Sequence, residues 1–521
     1  MRPSQEVRFW ARRAPTGERI AAGVAVATVM SLVVWLLVAA GSGSGARVSS
    51  AGSTGSNGDS AGSAAGQFAV GGAGGAGSPA ASQSAAGAGT GTGAGNRAGG
   101  ANTGNATTAG GTSAAGRGCT SPPGGGQGVT ATQIKVAVAV TNIVGPAANS
   151  IFGIPSADVQ HAAYQAVIDD VNKHGGVACR QLAPTFYVVN PADTASEQQV
   201  CLTIAQSGAF ATFDTGSLSV APGVPACFAQ HHVAFFSAIA LEESTIRQFF
   251  PYLFAMGSYQ ELYHAAAFAL QARGAFDPAT GFKKLGYIYH DCFKEAVDGY
   301  RGWLRDAGVP DAAVVTYDVG CASGFASPSD IQQAILKFKR EGVTHLTEAQ
   351  FTGDFATFTN VAQQQGFHPK YVIPDDAIMA TSYGSSRPNA DNIDGAVAIT
   401  ITAGGEEHTP GIPPSPGTAR CDTIMKPLGI QTVRQVNSDA LGDACDLIWM
   451  FQAGIEHAPS LQPAALPAGL QRVRSVEFSY PQGPNDFGSG TGTFAGQFWR
   501  PTQFSKGCAC WHLLDPSFHR G

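Results

Sequence analysis

The sequence predicts an α/β fold of two lobes with parallel sheets, set outside the cytoplasm behind an N-terminal membrane segment and a long linker. Three observations predict it. From Val129 onward, apolar runs of four to seven residues alternate with amphipathic stretches, the pattern of repeated βαβ units. The 394 residues from 128 to 521 exceed the usual size of one core, so two lobes are expected. Ahead of them lie an uncharged apolar stretch and then a stretch of almost nothing but small residues.

Residues 1–19 carry Arg2, Arg8, Arg12, Arg13 and Arg19 against Glu6 and Glu18, a basic tail that the positive-inside rule places in the cytoplasm. Ile20 to Ala40 follows with no charge, close to the ~20 residues a helix needs to span the hydrocarbon. It reads as a transmembrane anchor or a signal. Val38-Ala39-Ala40 fits a signal peptidase, but the stretch is longer than a usual signal core, which favours the uncleaved anchor. No Cys follows it until Cys119, against a lipid anchor. Residues 41–127 hold 28 Gly and only four charges, Arg47, Asp59, Arg97 and Arg117. Such a segment cannot bury enough surface to offset its ordering entropy and reads as a disordered linker with a reach of roughly 50 Å. Its Gly87–Gly95 run has neither strand before it nor helix after it, and so is linker rather than a dinucleotide loop.

In the 128–521 domain the expected strands are Ile134–Val140, Thr185–Val189, Ala209–Phe213, Val233–Ser237, Leu285–Tyr289, Val314–Tyr317, His345–Glu348, Tyr371–Pro374 and Ala396–Thr402. Their continuous apolar character predicts parallel strands covered on both faces. Between them run helices with one apolar stripe: Val159, Ala162, Ala163, Ala166, Val167 and Val171; Ile331, Ala334, Ile335 and Phe338; Phe355, Phe358 and Ala362. Lobe 1 is expected over about 128–255 with part of 380–460. Lobe 2 is expected over about 256–380 with part of the C-terminal region.

Residues 1–127 carry 8 basic and 3 acidic residues, and the remainder 23 basic against 34 acidic, a net −11. An acidic domain argues against nucleic acid as a partner. Ten Cys in an exported chain point to disulfides. Locality pairs Cys179 with Cys201, Cys292 with Cys321 and Cys421 with Cys445, and leaves Cys119, Cys227, Cys508 and Cys510 unassigned. The cluster Cys508-Ala509-Cys510-Trp511-His512 also admits a metal reading, disfavoured because no second ligand pair has matching spacing; no metal or cofactor is expected.

Catalysis finds little support. Gly216-Ser217-Leu218-Ser219-Val220 lacks the second Gly of a nucleophile elbow. His231 and His232 follow within the same βα unit, out of order for a hydrolase triad, and read as surface residues at a helix end. Glu242-Glu243, Asp375-Asp376 and Glu406-Glu407 are sequence neighbours, which face apart on a helix or strand. A non-enzymatic role is therefore expected, with an extracellular enzyme the weaker alternative.

Several segments together resemble a family. "TQIKVAVAVTNIVGP", "FATFDTGSLSVAP", "VAFFSAIALEEST", "FPYLFAMGSYQELYHAAAFAL", "KKLGYIYHDCFKEAVDGYRGWLRDAGV", "SDIQQAILKFKREGVTHL" and "FTNVAQQQGFHPKYVIPDDA" are similar, in order and spacing, to the type I periplasmic binding proteins. These are the branched-chain amino-acid-binding receptors of ABC transporters. The resemblance covers nearly all of 129–521. It implies two Rossmann-like lobes, hinge crossovers and a ligand cleft closing on a small molecule.

The resemblance also implies site residues. A ligand carboxylate would be met after two strands of lobe 1, at Gly216, Ser217 and Ser219 and at Ser237, Ala238 and Ile239. Short Ser- and Gly-containing turns that open a helix can present N–H groups to an anion; simple helix capping is the alternative. In lobe 2, Phe293 stands where the family carries a Tyr, and Asp375 or Asp376 where an acid would meet the ligand ammonium. Gln350 and Phe351 are further cleft candidates. Phe for Tyr removes a hydroxyl and points to a more apolar ligand. The expected function is capture of an amino-acid-like molecule for an ABC transporter permease. The alternative is a ligand sensor of the same fold acting through a signalling partner.

Overall fold

The computed structural model describes residues 121–142, 149, 154–191, 193–320, 326–350, 354–375, 388–402, 405–430, 439–480, 483, 485–488 and 490–520. The basic tail, the Ile20–Ala40 segment and residues 41–120 lie outside the described residues. So do Cys119, Cys321, Phe351 and Asp376. Residues 121–127, counted above with the linker, are docked: Leu461 N donates to Pro123 O at 3.1 Å and Gln127 Nε2 to Ala209 O at 3.0 Å.

Lobe 1 begins with strand β1 (Gln133–Thr141), helix α1 (Ala157–Lys173), β2 (Gln181–Val189) and α2 (Thr194–Gln206). β3 (Ala211–Asp214), α3 (Val224–Gln230), β4 (Ala234–Leu241), α4 (Glu243–Gln248) and β5 (Leu253–Ser258) follow. The five strands form one parallel sheet in the order β2-β1-β3-β4-β5. β1 shows why sequence alone places it centrally. Ile134, Val136, Val138 and Val140 enter the core on one face, and Ala137 and Ala139 the core on the other.

Lobe 2 repeats the plan. After α5 (Tyr259–Ala272) come β6 (Leu285–Tyr289), α6 (Lys294–Asp306), β7 (Val314–Asp318) and α7 (Pro328–Glu341). β8 (His345–Ala349), α8 (Phe355–Gln364), β9 (Lys370–Ile373) and β10 (Val397–Thr400) complete the repeat. The parallel order β7-β6-β8-β9-β10 reproduces that of lobe 1. α7 carries its own boundaries: Ser327 and Asp330 form a capping box, Pro328 starts the helix and Gly342 ends it at φ +73°. Its stripe Ile331, Ala334, Ile335 and Phe338 is fully buried. The stripe of α1 is rotated from expectation, since Val159 is exposed and Gln160, Tyr164 and Ile168 are buried instead.

The chain then returns to lobe 1 as α9 (Pro416–Met425), α10 (Asp439–Glu456) and α11 (Leu466–Val473), which cover one face of the first sheet. It ends in lobe 2 as β11 (Phe498–Ser505), β12 (Cys510–Leu513) and β13 (His519–Arg520). β11 pairs antiparallel with β10, and β12 and β13 antiparallel with β11, so the second sheet is mixed rather than wholly parallel. β5 and β11 to β13 are absent from the expected strands. β5 reads Leu-Phe-Ala-Met-Gly-Ser and runs directly into a helix, and β11 contains Arg500 and Pro501.

The lobes are joined by three passes of the chain, after β5, after β10 and before β11. They converge tightly. A Cβ on Gly257 would lie 3.2 Å from both Ala240 Cβ and Ile401 Cδ1, and one on Gly496 would lie 2.8 Å from Met256 O. Glycine at these positions is what lets the connecting segments touch.

The disulfides correct one expected pair. Cys201 joins Cys227, linking α2 to α3 on the same sheet face, and does not join Cys179. Cys179 sits in the turn before β2 and is bonded outside the described residues. Cys421–Cys445 ties α9 to α10 with Cα atoms 6.0 Å apart, and Cys508 pairs with Cys510. Cys292 is also disulfide-bonded, to a partner beyond the described residues.

Candidate ligand site

In both sheets the strand order reverses beside the first strand of the lobe, between β1 and β3 and between β6 and β8. Crevices at the carboxyl ends of such strands are where open α/β sheets hold ligands.

In lobe 1 the end of β1 is fixed by a residue that sequence reading missed. Gln160, fully buried on α1, accepts from Thr141 N at 2.9 Å and donates to Thr141 O at 2.8 Å and Pro155 O at 2.7 Å. The Thr141 hydroxyl is thereby held 2.8 Å from Thr215 Oγ1 and 3.2 Å from Ser217 Oγ. These three hydroxyls gather at the ends of β1 and β3 and can each donate to an anion. A lone Thr closing an apolar strand and a Gln on the buried helix face were the available signals.

The structure places the expected residues unevenly. Gly216 has φ +115°, and a Cβ there would stand 3.0 Å from Ile239 Cγ2, so the two expected loops do meet. Ser219, by contrast, is engaged within its own turn. Its N–H donates to Asp214 Oδ2 at 2.9 Å and its hydroxyl to Gly216 O at 3.2 Å. Leu218 N donates to the same carboxylate at 3.2 Å. The Ser219 N–H, expected to face an anion, is thus taken by Asp214, and only a three-residue 3₁₀ turn, Leu218–Val220, follows. Ser237, Ala238 and Ile239 lie within β4 rather than in a loop, at an irregularity in its pairing with β5. Ser237 Oγ accepts from Ile239 N at 3.3 Å.

In lobe 2, Phe293 and Gln350 are both brought to Tyr259, while Phe351 and Asp376 lie outside the described residues. Phe293 precedes α6 and packs edge-on against Tyr259, ring centres 6.1 Å apart. Gln350, at the end of β8, takes φ +58°, a conformation disfavoured for a residue with a side chain. It is held there by the Tyr263 hydroxyl, which lies 3.1 Å from its N–H and 3.0 Å from its amide nitrogen. The Tyr259 hydroxyl also hydrogen-bonds the Gln350 side chain, and its pKa is raised by burial and by the charges of Asp375, Glu242 and Glu348. Asp375 is 8% exposed and Glu348 fully buried. Tyr259, the first helical residue after N-cap Ser258, was not anticipated, although a Tyr directly after a crossover was visible in sequence.

The lobes touch beside this cluster. Glu242, at the end of β4, accepts from Ala296 N at the start of α6 at 3.1 Å, and Glu295 on α6 accepts from Ser244 N on α4 at 3.3 Å. Arg247 reaches Glu295 at 3.5 Å and Glu243 at 2.6 Å. Each helix start therefore receives a carboxylate from the other lobe, the charge that its dipole favours. Of the Glu242-Glu243 pair, Glu242 crosses to lobe 2, while Glu243 stays within lobe 1, holding Arg247 and accepting from the Ser258 hydroxyl at 3.0 Å.

Buried acids in lobe 1 give a pH response. Burial pushes Asp214 up to about 6, against the N–H groups of Leu218 and Ser219 that favour its charged form. Asp446, on α10, is pushed up to about 7 by burial, against the N–H groups of Ser479 and Tyr480. Carboxyls with raised folded pKa bind protons that the unfolded chain releases, so stability falls as pH rises through the interval from about 4 to 7. Thermal unfolding should therefore occur at higher temperature at pH 5.5 than at pH 8. Asp446→Asn should shrink that difference; an equal or larger difference in the variant would remove Asp446 from the account.

The geometry is that of a two-lobed receptor, and the sequence match decides the family: the model of the periplasmic binding protein family matches residues 133–508. The chain belongs to the periplasmic binding protein family. No curated protein matches the sequence. Among solved structures, an ABC transporter substrate-binding protein from Desulfitobacterium hafniense in complex with Leu is 14% identical with a TM-score of 0.51. The match covers 73% of this chain and 100% of that one. The isoleucine-bound branched-chain amino acid transporter substrate-binding protein of Streptococcus pneumoniae is 15% identical at TM-score 0.53, covering 74% and 100%. A fatty acid ABC transporter substrate-binding protein from Thermomonospora curvata is 12% identical at 0.53, covering 76% and 95%. At such identities these likenesses show the shared fold. This periplasmic binding protein is accordingly an extracytoplasmic solute-binding protein of type I fold. Its family is one of ligand-binding receptors rather than enzymes. Among the described residues no helix is long and apolar enough to cross a membrane.

Proposed function

We propose that this periplasmic binding protein captures a small amino-acid-like molecule between its lobes and delivers it to an ABC transporter permease. The observation that carries the reading is the lobe 2 cluster of Tyr259, Phe293, Gln350 and Asp375. Aromatic faces beside a buried carboxylate recognise an ammonium group attached to an apolar body. Thr141, Thr215 and Ser217 of lobe 1 supply the hydroxyls for a carboxylate. The ligand is then held by both lobes, and its greater affinity for the closed form draws them together. With Phe293 in place of a phenol, the ligand's side chain is apolar. Leucine and isoleucine in the structural neighbours agree with that chemistry.

The domain works outside the cytoplasm, tethered through Ile20–Ala40 and the Gly-rich linker. That placement is supported by the Arg-rich tail before the apolar stretch and by the disulfides of the domain. Native mass spectrometry of the full chain should detect a retained zwitterionic molecule, and added leucine or isoleucine should bind one per chain. Binding of an anionic or neutral lipid with no response to any amino acid would overturn the reading.

A further inference from the structure

The disulfides of this protein divide into two kinds. Cys201–Cys227 and Cys421–Cys445 close loops with sequence separations of 26 and 24, and Cys201, Cys421 and Cys445 are fully buried. Cys508–Cys510 spans a separation of only 2, at the tip of the β11–β12 hairpin. Cys508 is exposed there while Cys510 is 2% exposed. A bond between near neighbours removes little freedom from the unfolded chain, so the fold loses little when it opens, whereas the longer loops lose more. Ala509, between the two Cys, is held at φ +52°, where a residue with a Cβ is disfavoured. The hairpin beneath is secured without the disulfide: Trp511 is 1% exposed against Phe504, and Leu513 N donates to Thr409 Oγ1 at 2.8 Å.

We propose that Cys508–Cys510 is a thiol–disulfide exchange site that oxidises one flexible dithiol per chain, a peptide of Cys-x-x-Cys type. A substrate thiolate attacks the exposed Sγ of Cys508 and forms a mixed disulfide. The Cys508–Cys510 bond breaks, and the Cys510 sulfur leaves with the electron pair and takes a proton from water. The substrate's second thiolate attacks its own sulfur in the mixed disulfide and expels Cys508, which is protonated in turn. The substrate dithiol becomes a disulfide, and Cys508 and Cys510 become two thiols. Attack falls on Cys508 because the Cys510 sulfur is shielded by the hairpin.

The test treats the full chain in detergent with a reduced Cys-x-x-Cys peptide, and separately with reduced glutathione. The reaction is quenched with N-ethylmaleimide before peptide mapping. Cys508 and Cys510 should become alkylated about tenfold faster or more than Cys201, Cys227, Cys421 and Cys445. Glutathione should be found on Cys508, and about one equivalent of peptide should be oxidised per chain. The Cys508→Ser/Cys510→Ser double variant, checked for folding by circular dichroism, should oxidise none. Equal labelling of all these Cys, glutathione on Cys510, or undiminished peptide oxidation by the double variant would each overturn the proposal. The wild-type mapping decides the matter even if the variant fails to fold.

Discussion

Asp375→Asn is expected to weaken binding of an amino-acid ligand about ten- to hundredfold. The replaced carboxylate is buried at the end of β9 and acts on Tyr259, in the cluster that also holds Phe293 and Gln350. A hydrogen bond to a charged group contributes roughly 1.5–3 kcal/mol, and each ~1.4 kcal/mol is tenfold in affinity. Asparagine keeps the size and loses the charge, so the loss measures the ligand's cation. The same variant should bind a 2-hydroxy acid of matching side chain within about twofold of wild type, because that ligand has no ammonium to lose. Calorimetry on both proteins with both ligands makes the comparison. Equal affinity of wild type and variant for the amino acid would place the ammonium elsewhere and end the assignment of Asp375.

How far the sequence led can be judged from particular residues. β1 and α7 were legible because each is over-determined, β1 by continuous burial on two faces and α7 by its stripe. β5 was not, since its Ala, Gly and Ser serve the crossover rather than the sheet, and neither was the antiparallel β11, whose Pro and Arg contradict strand preference. In lobe 2, Phe293, Gln350 and Asp375 were legible as candidates because each follows a recognisable strand. In lobe 1 the turn from Gly216 to Ser219 read as a set of open donors, whereas Asp214, at the end of the strand that leads into that turn, accepts from Ser219 N. Sequence shows which donors a turn has; it does not show which partner reaches them first. For Cys201, locality in the chain pointed to Cys179, and helix packing on one sheet face decided for Cys227.

Gln160→Leu is expected to cost about 2–4 kcal/mol of stability, because it strands the buried Thr141 N–H and leaves the carbonyls of Thr141 and Pro155 only the long bonds from Asn149 Nδ2, at 3.5 and 3.4 Å. The effect should reach the ligand site. Thr141 is clamped through both its N–H and its C=O, and its hydroxyl is what assembles Thr215 and Ser217 at the sheet reversal. In protein that remains folded below its lowered melting temperature, ligand affinity should therefore fall about tenfold, one charge-assisted hydrogen bond's worth. Gln160→Glu separates the clamp from simple packing. A carboxylate can still accept from Thr141 N, but sets negative charge against the carbonyls of Thr141 and Pro155, so it should be less stable than wild type at pH 8. Lowering the pH to 5 protonates the buried acid and restores one donor, and part of the lost stability should return. Thermal unfolding of the two variants at both pH values, with calorimetry at 15–20 °C below their midpoints, reads all of these effects. If Gln160→Leu melts with wild type and binds as tightly, the end of β1 is positioned by its sheet neighbours alone and the hydroxyl cluster owes nothing to α1.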